Sequence, residues 1–218
     1  MRRILRCFAL VVLAIYALFA CAILSLRWID PPTTAVQIQR RIEALVAHRP
    51  YTKMQFDVPM RDISPALQHA VVAAEDARFY RHHGFDWTEV QDAIEESRDG
   101  VRTRGASTIT QQLVKNLFLT TSRSVIRKGI EATLVPPAEF LLGKQRILDL
   151  YLNVIEWGPG VYGAEAAARH YYHIPARSLS REQALQLASI IPNPLRRKPG
   201  RFADYEQVIA GRMSQLGW

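Results

Sequence analysis

Apolar residues recur along this chain at the three- and four-residue spacing of helices, and alternation with the period of a strand is scarce. The first stretch stands apart: Cys7 to Leu26 runs twenty residues without a charge, about 30 Å as a helix and enough to cross the hydrocarbon core of a bilayer. A short amphipathic helix is expected near Val36 to Ala47, ending by Pro50. Ser64-Pro65 marks another start, with Ser as N-cap and Pro at the first helical position. Leu67, Ala70, Val71 and Ala74 then form its core face, and Gly84 is expected to stop it. Further helices are expected at 86–100, 107–119, 123–135, 138–155, 163–172 and 180–190, with proline breaks at 136–137, 192–194 and 199. Arg98 to Arg104 is polar and glycine-containing and reads as a mobile loop. The fold class is therefore all-α, a domain of mostly short helices preceded by one N-terminal transmembrane helix.

Composition agrees: 49% hydrophobic and 22% charged residues in a chain of 218 suit one globular domain plus an apolar element. The expected organisation is a cytoplasmic N-terminus (1–6), an anchor (7–26), a connector (27–54) and a domain (55–218). Arg2, Arg3 and Arg6 precede the apolar run and only Arg27 and Asp30 closely follow it, so the rest of the chain is exported. A cleaved signal peptide shares that outline, but this run exceeds the about 7–15 residues of a signal core and no small-x-small site precedes Arg27. A retained anchor is the expectation. Cys7 and Cys21 both lie in the run, so the exported part can form no disulfide. The net charge is +8, and removing the three arginines before the anchor leaves +5 for the remainder. That suits phosphorylated substrates or an anionic lipid surface; an exported, tethered domain meets no nucleic acid.

Candidate chemistry gathers in three stretches. In Glu75-Asp-Ala-Arg-Phe-Tyr-Arg-His-His-Gly84, a helix continuing through the acids puts Glu75 at the shoulder of the apolar stripe and Asp76 on the polar side. Partial desolvation there would raise the Glu75 pKa towards that of a usable base. Phe79 and His82 follow on the same face; the plain alternative is a solvated Glu75 paired with Arg78. In the second stretch Gly105 provides a flexible entry, Thr108 and Gln111 have capping-box spacing, and Ile109, Leu113, Val114 and Leu117 face the core. Thr108, Gln112 and Lys115 share the other side, with Gln111 beside them, as donors for sugar hydroxyls and a phosphate oxygen. A hydrated helix face is the alternative, although such faces more often carry Glu/Lys pairs. In the third, Arg123, Arg127 and Glu131 are spaced by four: two guanidiniums suit a diphosphate, and a structural ion pair suits the spacing equally. His82, His83, His170 and His173 lack zinc spacing. Leu117-Phe118-Leu119, between Lys115 and Arg123, is expected to dip into a membrane interface.

These motifs and their order resemble the family 51 peptidoglycan glycosyltransferases, and among them the monofunctional biosynthetic transglycosylases. The resemblance rests on EDARFYRHHG, GASTITQQLVKN, RKGIE, KQRILDLYLN, EWGPGVYGAEAAARHYY and IPNPLR, and spans roughly residues 55–216. It implies a lysozyme-like helical domain on the outer face of the bacterial cytoplasmic (inner) membrane. The implied activity is polymerisation of lipid II into β-1,4-linked glycan strands, with inversion at the MurNAc anomeric carbon and release of undecaprenyl diphosphate. The implied catalytic residues are Glu75, as general base, and Glu131. Lys115 and Arg123 would neutralise the leaving diphosphate, and Asp76, Phe79, His82, Gly84, Thr108, Gln111, Gln112, Asn116, Arg127 and Lys128 would complete the substrate site. No cofactor is implied as tightly bound; a divalent cation (Mg or Mn) would accompany the diphosphate near Glu131. Implied partners are lipid II, the growing lipid-linked strand, the membrane, and other cell-wall synthesis or division proteins. Two competing readings use the same glutamate or none: a muramidase on the same scaffold, and a non-catalytic scaffold protein. Pro136-Pro137 departs from the family's continuous helix. No Ser-x-x-Lys or Lys-Thr-Gly occurs, so a transpeptidase module is not expected.

Overall fold

The computed structural model describes residues 1–98 and 107–218. The loop expected after Arg98 and the entry at Gly105 lie outside the described residues. Helices dominate, as the spacing requires: α1 (Arg2–Ser25), α2 (Ala35–Val46), α3 (Pro65–Glu75), α4 (Trp87–Arg98), α5 (Ile109–Phe118), α6 (Val125–Val154), α7 (Ala164–Tyr172), α8 (Arg181–Ala188) and α9 (Ala203–Gln215). A small sheet joins β1 (Met54–Gln55), β2 (Glu156–Gly158) and β3 (Val161–Tyr162), with β3 central, parallel to β1 and antiparallel to β2. Strands of two or three residues are too short to leave an alternating pattern in sequence.

The helix α1 is long and apolar enough to cross a membrane. Its second half also packs on the domain: Ile23 is buried, Phe19 meets Phe118 edge to face at 5.6 Å, and the hydroxyls of Tyr16 and Thr133 lie 2.8 Å apart. Of Leu117-Phe118-Leu119, expected to enter the membrane interface, Leu117 belongs to the core, while Phe118 and Leu119 are half-buried and Phe118 packs on the anchor. The connector is likewise part of the fold, since the expected boundary at 54/55 falls inside β1. Gln37 bonds Gln55 at 2.9 Å, Arg40 bonds Glu156 at 3.1 Å, and the Asn153 amide exchanges two 3.0 Å hydrogen bonds with the Val58 backbone.

The core is built round α3, whose Leu67, Ala70, Val71, Val72, Ala73 and Ala74 are all buried. A helix buried round most of its later turns belongs in the centre of a domain, and α3 packs on both α8 and α9. Pro65 begins it, but Ser64 does not cap it through its side chain; the Ser64 hydroxyl donates instead to the Leu179 carbonyl at 2.9 Å. Sequence reading missed α9, although Tyr205, Ile209, Met213 and Leu216 recur at helical spacing.

Two expectations about helix ends are corrected. The helix expected to reach Gly84 ends at Glu75, where Asp76 leaves helical geometry (φ −162, ψ 73) and the chain turns through residues 77–84. Pro136-Pro137 does not break α6; the interruption is at Gly143, whose φ of 73° suits glycine. An interior proline costs about 3 kcal/mol. Around the two prolines, Leu134, Val135 and Ala138 are buried against Ile23 and Val114, and each large side chain so buried contributes about 1.5–3 kcal/mol. Packing against α1 and α5 thus keeps the helix continuous through a sequence that would break it in isolation.

Candidate active site

The chain reversal after Glu75 builds a clasp for the start of α5. Asp76 faces inward, where its Oδ2 accepts a 3.0 Å hydrogen bond from the Ile109 backbone N–H and both its oxygens lie within 3.0 Å of His82 Nε2. A carboxylate at a helix N-terminus satisfies an orphan donor and opposes the helix dipole. His82 Nδ1 accepts from the Gly84 N–H at 3.2 Å, and the Gly84 carbonyl accepts from the Thr108 hydroxyl at 2.6 Å. Thr108 and Gln111 complete the capping box that the spacing predicts. Gly84 has φ +93, and a Cβ there would collide with Val135 Cγ1. Gly84→Ala is expected to cost about 2–4 kcal/mol through backbone strain and overpacking, read as a lower melting temperature.

The clasp sets α5 across the end of α3, and the two helices line one cleft of about 950 Å³. Glu75, Ser107, Thr108, Gln112 and Lys115 lie on its wall, with Arg197 on the loop before α9. Glu75 Oε2 accepts a 2.8 Å hydrogen bond from Gln112 Nε2; Oε1 is closed off from solvent and has no partner among the described residues. Burial raises the Glu75 pKa, with Asp76 adding to the rise, while the Gln112 hydrogen bond and the charges of Lys115 and Arg197 partly oppose it. Lys115 is pushed the other way: burial lowers its pKa, Arg127 and Lys128 lower it further, and Glu131 and Glu75 raise it. Both charges are desolvated in one enclosure and each acts on the other.

Behind Lys115 lies the start of α6, capped by Ser124. Glu131 is 2% exposed; Arg127 donates to its Oε2 at 2.6 Å and Lys128 to its Oε1. Arg127 also donates to the Ser122 carbonyl at 2.7 Å, and Lys128 to the Ser107 hydroxyl at 3.3 Å. Removing Glu131 would leave three cations facing one another, so the carboxylate organises the cluster. This donor set does not fit a resident divalent cation. Among the described residues the Glu131 carboxylate is the cluster's one anion, and both of its oxygens already bind cationic side chains.

The transglycosylase family's sequence profile matches residues 42–215. The chain is 44% identical to a biosynthetic peptidoglycan transglycosylase of Pseudomonas entomophila, over 89% of this chain and 84% of that one. It is 44% identical to the protein of that name from Shewanella oneidensis, over 100% of this chain and 95% of that one, and 45% identical to the Pseudomonas fluorescens one over 89% and 83%. The chain belongs to the transglycosylase family. Its domain is accordingly lysozyme-like and helical.

Within this transglycosylase the residues read from sequence divide into three groups. Glu75, Thr108, Gln112 and Lys115 line the cleft; Glu131, Arg127 and Lys128 form the cluster beside Lys115. Arg123 lies exposed ahead of α6, not on its helical face with Arg127 and Glu131 as the four-residue spacing suggested. The others make contacts within the protein in this geometry. Phe79 is wholly buried beneath Lys144, whose ammonium lies 4.4 Å from the ring centroid. Asp76, His82, Gly84 and Gln111 belong to the clasp, though Asp76 also reaches the cleft wall. Asn116 is buried and donates to the Gln112 carbonyl at 2.8 Å. The polar side expected for Asp76, and a common face for Glu75, Phe79 and His82, are corrected because α3 ends at Glu75. Arg78 is not the partner of Glu75 either; it pairs with Asp86 at 2.8 Å.

Residues of α9 that sequence reading passed over also shape the site. Arg212 donates to the Ala73 and Ala74 carbonyls at 3.1 and 3.3 Å, and Tyr205 to the Ala74 carbonyl at 3.3 Å. These take up orphan acceptors of the last turn of α3 and fix the position of Glu75.

Proposed function

We propose that this peptidoglycan glycosyltransferase, which builds glycan strands for the cell wall, works by base-assisted inverting displacement within the Glu75–Lys115 cleft. Its substrate is lipid II together with the growing lipid-linked strand. Glu75 takes the proton from the 4-hydroxyl of the acceptor GlcNAc. That oxygen then bonds to the anomeric carbon of the donor MurNAc, from the face opposite the leaving group. The anomeric C–O bond breaks, its electron pair departs with the lipid diphosphate, and the α linkage becomes β. Positive charge grows on the sugar and negative charge on the diphosphate. Lys115, backed by Arg127 and Lys128, stabilises the latter most where it is greatest, in the transition state. Thr108 and the stem of Gln112 line the sugar site, and Arg123, exposed just ahead of α6, follows the diphosphate outwards. One observation carries this reading: the half-buried Glu75 carboxylate and Lys115 ammonium line one cleft, where burial raises the pKa of the first and lowers that of the second. A muramidase needs the acid but not the cation cluster.

The helix α1 supports single-pass anchoring, with Arg2, Arg3 and Arg6 in the cytoplasm and the domain on the outer face of the inner membrane. Val125, Ile126 and Ile130 are exposed on the arm of α6 that α1 packs against, which favours the bilayer as their surroundings.

The purified full chain, given pure lipid II, is expected to produce glycan strands and release undecaprenyl diphosphate. Fragments cut from finished wall, without polymer, would overturn the proposal in favour of a muramidase. Because Glu75 must be ionised to accept a proton and its pKa is raised, activity is expected to fall on acidification at a pH above the ordinary carboxylate range. A plot of kcat/KM against pH checks this.

A further inference from the structure

Tyr151 lies on α6 beyond the break at Gly143, wholly buried, and its hydroxyl donates to Gln112 Oε1 at 2.9 Å. The other end of the same amide, Nε2, donates to Glu75 Oε2 at 2.8 Å and makes a longer 3.4 Å contact with the Ser107 carbonyl. We infer that Tyr151 is a positioning residue for the general base, acting through the Gln112 amide to fix the orientation of the Glu75 carboxylate in the cleft. Tyr151 touches neither Glu75 nor, on this account, the substrate. The inference rests on the reading of Glu75 as the base.

The chemistry requires the order of donors. A carboxylate can only accept, so the amide must present its NH₂ to Glu75 and its oxygen away. An amide is nearly symmetrical in shape, and in a cleft it could rotate to place its oxygen against the carboxylate. The carboxylate itself disfavours that rotamer, and the Tyr151 hydroxyl, donating to the amide oxygen on the far side, ties the correctly turned amide in place. The phenol is itself held in its neutral, donating form: burial raises its pKa well above the ordinary value, with Glu75, Asp76 and Tyr205 adding to the rise. The backbone of Gln112 is anchored separately, its carbonyl accepting from Asn116. The result is a three-membered relay, Tyr151 to Gln112 to Glu75, in which only the last group reacts. Gln112, counted from sequence among the substrate contacts, has both ends of its amide committed to this relay.

The groups that face Glu75 are Lys115 and Gln112 from α5, Arg197 from the loop before α9, and Asp76 next in the chain. Of these, the Gln112 hydrogen bond opposes the raised pKa, so freeing the amide raises the pKa further. The acid limb of the pH–rate profile then moves to higher pH. Such a movement separates positioning from mere packing, which would lower the rate equally at every pH.

The experiment compares Tyr151→Phe, Gln112→Leu and the double variant in the full chain, by steady-state polymerisation of purified lipid II across pH. Tyr151→Phe removes one oxygen and keeps the ring. The expected result is a kcat about fivefold lower near neutrality, the scale of one hydrogen bond between neutral groups, with KM little changed and the acid limb displaced upwards. Gln112→Leu is expected to displace the limb in the same direction, and Tyr151→Phe to add nothing in that background, as for residues acting through one another. Additive effects, or an acid limb unmoved in Gln112→Leu, would overturn the relay; the Gln112→Leu arm decides this even if Tyr151→Phe does not fold. Polymerisation surviving in Glu75→Gln would instead sink the reading of the base. An inactive Glu75→Gln with a normal limb in both single variants sinks the relay alone.

Discussion

Glu75→Gln is expected to lower the rate of strand polymerisation by about 10²–10⁴-fold, the range for loss of a positioned general base. The substitution keeps the size of the side chain and removes its capacity to take a proton. It is not expected to unfold the protein. The Glu75 pKa is raised in the fold, chiefly by burial, so the folded state holds that proton more tightly than the unfolded chain does. Stability from this group is therefore complete below the unfolded pKa and is lost as pH rises through the folded one. At neutral pH the ionised carboxylate is a burden that a neutral amide relieves. A melting temperature at or above that of the parent, together with lost polymerisation, is the expected pair of results. Lost activity with lost folding would assign Glu75 a structural role, and retained activity would remove it from the mechanism.

Lys115→Ala is expected to cost about 10²–10³-fold in kcat, the scale found when one fixed donor to a developing anion is removed. The charge on the diphosphate grows as the anomeric bond breaks, so the loss falls on the chemical step more than on binding. Arg127 and Lys128 cannot move in to compensate, because both are tied to Glu131 and to the Ser122 carbonyl or the Ser107 hydroxyl. Rapid-quench measurement of undecaprenyl diphosphate release separates bond breaking from substrate capture. A variant with unaltered release but weaker binding would reassign Lys115 to substrate recognition.

Local features of the fold were legible in the sequence and tertiary ones less so. The apolar run of α1, the proline at the start of α3 and the Thr108–Gln111 capping box are each set by residues within a turn or two, and each appears where expected. The end of α3 was misjudged because helical periodicity continues past Glu75, while long-range bonds to Ile109 and a turn locked by His82 hold the chain back. That error moved Asp76, Phe79 and His82 to the wrong surfaces. Pro136-Pro137 misled in the opposite sense, since the packing that keeps α6 continuous comes from α1 and α5. The partnership of Glu75 with Gln112 spans 37 residues and that of Gln112 with Tyr151 spans 39. No pattern of spacing reports either one. Motif resemblance brought Glu75 and Gln112 into one list but left out Tyr151, and only the fold divides cleft wall from supporting clasp.

The mechanism turns on an acid and a cation that feel each other across the same enclosure. Its most direct test is a carbon-13 NMR titration of the Glu75 carboxyl in the parent protein and in Lys115→Ala, with Glu75→Gln identifying the resonance. The parent is predicted to titrate above the ordinary carboxylate range, and the Lys115→Ala protein higher again, because the ammonium's field favours the ionised carboxylate. A Glu75 that titrates at the ordinary value, or one indifferent to the loss of Lys115, would contradict it.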